Sequence, residues 1–115
     1  MVPRRIVSAS IVLMALLIAS SLCWAQFTSA IEGTVTDQTG AVVANATVIL
    51  TNEETGVTQT VQTQDNGNFR FTPLPAARFK LTASAQGFKT TIQEHVQVAV
   101  AETQTVNLHM TVGGG

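Results

Sequence analysis

The chain has 115 residues, enough for a single domain, with 45% hydrophobic and only 11% charged positions. Its formal net charge is −1 at pH 7 and its basic residues are scattered, so no patch exists to track a phosphate backbone and no nucleic-acid partner is expected. The single cysteine, Cys23, excludes a disulfide framework within the chain.

Arg4 and Arg5 stand ahead of an apolar run from Ile11 to Ala19, which leads through Ser20, Ser21 and Leu22 to the small-x-small triplet Cys23-Trp24-Ala25. This is the layout of a secretory signal peptide over residues 1–25, cleaved between Ala25 and Gln26. A retained membrane anchor is the competing reading, but the strongly apolar run falls short of the roughly 20 residues a span requires. Leu22 is too bulky for lipoprotein processing at Cys23. Pro3 and Ile6-Val7 fit a twin-arginine signal poorly, leaving the general secretory route. The exported part then has no cysteine and an acidic balance, with Arg70, Arg78, Lys80 and Lys89 facing all 7 acids. A domain of this size buries only ~60–65% of its unfolded surface, so its stability must rest on a complete apolar core.

From Ser29 onward the sequence turns to Thr, Val and Gln, with turn signals about every ten residues, the rhythm of an all-β sandwich. Ile31, Gly33 and Val35 share one face of a first strand, and Gly33 in a core position predicts a bulge or a close backbone approach. Asp37-Gln38-Thr39-Gly40 is a turn. Ala46, Val48 and Leu50 then point inward along a second strand, and Asn52 to Gly56 closes a hairpin into a third, where Val57 and Val61 are expected to face in. Asp65-Asn66-Gly67-Asn68 is a tight reversal. Phe69 and Phe71 follow on one face, with Pro73 and Pro75 expected to end the ladder. Arg78 to Ser84 forms another strand and Gln86-Gly87-Phe88-Lys89 another turn. In the strand from Thr91 to Val100, Ile92, Val96, Val98 and Val100 are expected on the inner face, and Glu94 predicts a bulge or edge position. The last strand carries Val106, Leu108, Met110 and Val112 inward, and residues 113–115 read as an unstructured tail or linker. The sum is a sandwich of about seven antiparallel strands over residues 26–112, with Phe69, Phe71, Leu74 and Phe79 buried.

Four segments in order carry a further signal: Ile31 to Gly40, Ala46 to Leu50, Asp65 to Phe71, and Leu74-Pro75 ahead of Phe79 and Gln86-Gly87-Phe88-Lys89. Together they resemble the carboxypeptidase regulatory-like domain, a transthyretin-like (prealbumin-like) sandwich related to collagen-adhesin B-type repeats. The chain departs from the family's usual Pro-Gly and aromatic at Ala76-Ala77-Arg78, and from its Pro-Gly at Ala44-Asn45. In bacteria such a domain directly after a signal peptide often begins a TonB-dependent outer-membrane receptor of the Oar type. The resemblance therefore implies a non-catalytic module, exported to the periplasm or outer membrane of a Gram-negative cell. Its partner would be another protein or the rest of such a receptor, and its only membrane contact the signal segment. The chain stops about where the plug of such a receptor would start.

Individual residues add no reaction. His95 and His109 lack the convergent ligands a metal needs, and no motif joins either to Ser29 or Ser84 for nucleophilic catalysis. Asp65-x-x-Asn68 is too short for a calcium loop. Asn45-Ala46-Thr47 matches a glycosylation acceptor, read as a coincidence because the signal layout and the resemblance are of a bacterial type. The first strand has no Lys for an isopeptide bond to Asn107. No cofactor is expected. Carbohydrate binding is the rival function, because related sandwiches stack sugars on exposed rings; Phe88 is the residue that would make such a contact, although a turn position tucked over the sandwich end suits it better. Service as the accessory domain of an exported peptidase is a third reading.

Overall fold

The computed structural model describes residues 10–15, which are helical, and residues 28–113, which form the sandwich. The expected cleavage pair Ala25–Gln26, together with Cys23, Trp24 and Phe27, lies outside the described residues. No helix among the described residues is long and apolar enough to cross a membrane.

Among those residues there are eight strands: β1 (Ser29–Asp37), β2 (Thr47–Asn52), β3 (Thr58–Gln62), β4 (Asn68–Leu74), β5 (Ala77–Ser84), β6 (Thr91–Val98), β7 (Thr103–Thr105) and β8 (Leu108–Met110). One sheet has the order β4-β1-β7, with β8 continuing beside β1, and the other has the order β3-β2-β5-β6. Period-two alternation places Ile31, Val35, Phe71, Leu108 and Met110 of the first sheet against Val48, Leu50, Phe79, Leu81 and Val98 of the second, all buried. Phe69 and Phe71 leave the same face of β4 and meet edge to face, their centroids 6.1 Å apart. The four residues expected at the centre, Phe69, Phe71, Leu74 and Phe79, are all buried.

The first sheet is mixed rather than wholly antiparallel. After β6 the turn at residues 99–102 carries the chain across the end of the sandwich, instead of back along β6. There the Ser29 hydroxyl donates to the Ala99 carbonyl at 2.7 Å, and the Ala30 N–H donates to the Glu102 carbonyl at 2.9 Å. The returning strand consequently starts beside the start of β1 and runs parallel to it.

The turns follow their sequence chemistry. Asp37 Oδ1 accepts from the Thr39 N–H at 2.8 Å, the Thr39 hydroxyl at 2.6 Å and the Ala41 N–H at 3.1 Å. Asn52 Oδ1 accepts from the N–H groups of Glu54 and Thr55. Gly67 has φ +78° in the Asn-Gly reversal and lies against the Val35 carbonyl, a place that admits no side chain. Thr63 is buried, donating to the Val43 carbonyl at 2.7 Å and accepting from the Ala46 N–H at 2.9 Å.

Several side chains depart from the expected pattern. Pro73 does not end β4, which continues to Leu74 paired with Ser29 after a register shift. Val57 is 61% exposed, because β3 lies at the sheet margin and its inner face overhangs the opposite sheet; Gln59 is exposed too and Val61 only half-buried. In β6 the pairing shifts by one between Phe79↔Val96 and Leu81↔Gln93, a bulge at Glu94–His95 that puts His95 at φ +59°. A one-residue bulge reverses side-chain parity, so Ile92 turns to the outer face and is 55% exposed while Val96 and Val98 stay inside. Val100 falls in the turn and is exposed. The final strand breaks into β7 and β8; Val112 lies past the break, 64% exposed and bridged to Phe88. Gly113 is buried and donates its N–H to the Gly87 carbonyl at 3.2 Å, so it belongs to the sandwich.

Candidate functional site

The outer face of the first sheet is a ladder of polar cross-strand pairs. Glu32 and Arg70 are directly opposed on β1 and β4 and form an ion pair. Thr34 donates its hydroxyl to Asn68 Oδ1 at 2.8 Å, and Thr36 Oγ1 is hydrogen-bonded to His109 Nδ1 at 2.7 Å. Where β7 gives way to β8, the chain dips inward and Val106 half-buries against the core. The Asn107 side chain then replaces the missing ladder bond, its Oδ1 accepting from the Thr34 N–H at 3.2 Å. The dip leaves a concavity of about 380 Å³ whose walls include Glu32, Gln64, Asn68, Arg70, Thr105 and Asn107. Neutral amides, hydroxyls and one self-paired charge couple supply both donors and acceptors there, the donor set of a hydroxylated ligand.

A second polar cluster sits at the bulge of β6. Glu53, in the turn after β2, accepts from the His95 N–H at 3.2 Å and from His95 Nδ1 at 3.1 Å, with Arg78 Nε 4.0 Å away. Partial desolvation pushes the Glu53 carboxyl up, but the two His95 hydrogen bonds and the charges of His95 and Arg78 outweigh it, and the net direction is below the ordinary glutamate value. This cluster was not expected from the sequence; Glu94 signalled the bulge, but nothing local joins residue 53 to residue 95.

The two histidines thus occupy separate clusters on different sheets, and Ser29 is bonded to a carbonyl rather than to either. Among the described residues no group of three or more His, Cys, Asp or Glu is placed to hold a metal. Asp65 and Asn68 serve the β3–β4 reversal, where the Asn68 N–H donates to Asn66 Oδ1 at 3.0 Å. Phe88 is half-buried, packs on the core and bridges to Val112 at the end of the sandwich. At the opposite margin, between the β2–β3 hairpin and the β4–β5 turn, a cleft of about 230 Å³ is walled by Leu50, Val57, Gln59, Pro75 and Phe79.

Two facing sheets around one aliphatic and aromatic core define a small β-sandwich module. The model of the carboxypeptidase regulatory-like domain matches residues 30–111. The chain belongs to that family, a non-catalytic module type. No curated protein matches the chain. Among solved structures, the Bacillus anthracis TIE protein superposes with a TM-score of 0.64 at 18% identity, covering 75% of this chain and 17% of that one. A candidate carbohydrate-binding protein from Bacteroides uniformis gives 0.60 at 18% identity, covering 72% and 41%. The 3-chlorocatechol 1,2-dioxygenase of Rhodococcus opacus gives 0.60 at 12% identity, covering 76% and 61%. The chain spans less than two thirds of each of these proteins, and identities this low show a shared fold alone.

Proposed function

We propose that the chain is an exported, non-catalytic accessory module that opens a TonB-dependent outer-membrane receptor and acts in the periplasm by protein contact. The observation that carries this reading is how its chemically capable side chains are engaged. His109 is bonded to Thr36, His95 to Glu53, Ser29 to Ala99 and Glu32 to Arg70, each a pairing that fixes a strand or a turn. What the domain offers a partner is surface and strand edge. A signal-peptide layout immediately ahead of a domain of this family supports the receptor setting. The decisive experiment is to read the DNA downstream of the codon for Gly115. A plug and barrel in frame, or after one frameshift, is the expected result; unrelated sequence there ends the receptor reading.

A second reading, sugar binding, draws on the polar concavity beside Asn107 rather than on a stacking ring, since Phe88 is held against the core. A glycan array, repeated with Asn107→Ala and Phe88→Ala, tests it. Retained glycans lost with Asn107→Ala favour this reading over the first, and an empty array removes it.

A further inference from the structure

The two sheets have four edges, and three of them carry features that discourage pairing with another chain. β4 contains Pro73 and a register shift. β6 has the bulge at Glu94–His95. The β7–β8 margin is broken into two pieces of 3 residues each. β3 has none of these. Its register with β2 is unbroken from Thr51↔Thr58 to Thr47↔Gln62, and its sequence, Thr58-Gln59-Thr60-Val61-Gln62, holds no charge and no proline. Every residue in it except Val61 is exposed.

The ladder also fixes which groups are free. The Asn52 N–H donates to the Val57 carbonyl, and the Thr63 N–H donates to the Ala46 carbonyl, both at 2.9 Å. Hydrogen-bonded positions alternate along an antiparallel strand, so residues 57, 59, 61 and 63 bond to the β2 side. The N–H and C=O groups of Thr58, Thr60 and Gln62 therefore point away from the sheet, in line and unpaired within it.

Two features beside this edge define its occupant. The cleft walled by Val57, Gln59, Pro75 and Phe79 opens under the inner face of β3, where alternate side chains of an added strand would fall. Glu54 and Asp65 bracket the strand at its two ends, both exposed and neither ion-paired among the described residues, and no Lys or Arg occurs between Ala41 and Phe69. We propose that β3 is a docking edge for an extended segment of another protein, with apolar β-branched residues at alternate positions and a basic residue at each end. The added strand takes up the amides and carbonyls of Thr58, Thr60 and Gln62, sets its apolar side chains over the cleft, and pairs its terminal charges with Glu54 and Asp65. The same acids disfavour a second copy of this chain on the edge, because two-fold pairing about Thr60 brings the acidic turns of the two copies together.

The inference rests on the interaction-module reading for its class of partner, yet its test is independent of what lies downstream of Gly115. The 15N-labelled protein is titrated with a synthetic peptide, acetyl-KTVTVTK-amide, and with its counterpart bearing Glu at both ends. The expected result is perturbation of the Thr58, Thr60 and Gln62 amides by the first peptide only, weakening as salt is raised. Thr60→Pro removes one outward N–H without touching the β2 ladder and weakens binding about tenfold or more at unchanged thermal stability. Should that variant unfold, the wild-type protein with a peptide N-methylated at alternate residues gives the same readout. Equal binding of the two peptides, perturbation centred on Asn107, or no perturbation at all overturns the proposal. Concentration-dependent shifts of the β3 amides without peptide overturn it in favour of a second copy.

Discussion

The carbonyl oxygen of Val106 lies 1.7 Å from the point that a Cβ on Gly33 would occupy. No side chain fits there, and the Phe69 ring, 2.9 Å from the same point, closes the alternative. Absence of a Cβ at residue 33 lets the β7–β8 link dip into the sandwich, and that dip shapes the polar concavity outside it. Gly33→Ala is accordingly expected to cost about 3 kcal/mol or more, at the upper end for overpacked interiors. Urea denaturation measures the loss. Amide shifts at Thr34 and Asn107 should accompany it, because the bond between them is the first to be displaced.

Thr63 joins two backbone groups that would otherwise be unpaired. Thr63→Val keeps the shape but strands the Ala46 N–H and the Val43 carbonyl in a buried place, an expected cost of about 2–4 kcal/mol. Thr63→Ser should recover most of it. Equal stability of the Val and Ser variants would contradict the hydrogen-bond account.

Stability should fall at acidic pH through two exposed carboxylates. Asp37 is held below its ordinary value of 3.8, first by the Thr39 hydroxyl and then by backbone N–H groups, and Glu53 is held below its ordinary value of 4.5. A carboxylate depressed in the folded state stabilises the fold above its unfolded pKa, and that contribution disappears as pH falls through the folded pKa. Urea midpoints are therefore expected to be flat from neutrality down to about pH 5 and to decline below it. Asp37→Asn retains the acceptor oxygen and removes one titration, and Glu53→Gln removes the other, so each should make the acid decline shallower.

Substitutions should separate the covered aliphatic side chains from the uncovered ones. Leu81→Ala, at a position with no exposure, is expected to cost about 2–5 kcal/mol. Val57→Thr and Ile92→Thr, on the margin of β3 and ahead of the bulge, should each stay within about 0.5 kcal/mol of wild type. Thermal melts of the three variants check this.

Those last positions show where sequence reasoning reached and where it stopped. Period-two alternation and turn residues are local, so β1, β2 and the Phe69–Phe71 strand were legible from Ile31, Val35, Val48, Leu50 and the Asn66-Gly67 pair. Gly33 also announced a close approach, although not which backbone would make it. Parity past a bulge is different. Glu94 signalled the irregularity, but whether it reversed Ile92 or Val96 depended on how β6 pairs with Phe79 and Leu81 of β5. Val57 failed for another reason: an alternating pattern says which face a side chain leaves by, and the reach of the opposite sheet decides whether anything covers it. The Asn107 concavity and the Glu53–His95 contact join residues far apart in the chain, and no spacing encodes them.

The parallel pairing of β1 with β7 and β8 has a mechanical consequence. Because the opening and closing strands run in the same direction, the chain enters at one pole of the sandwich and leaves at the other, roughly 25–30 Å away for the 9 residues of β1. A pull between whatever precedes Thr28 and whatever follows Gly113 would slide β1 against β8 along their common axis. The rungs between Val35–Asp37 and Leu108–Met110 would then share the load at once instead of opening one after another.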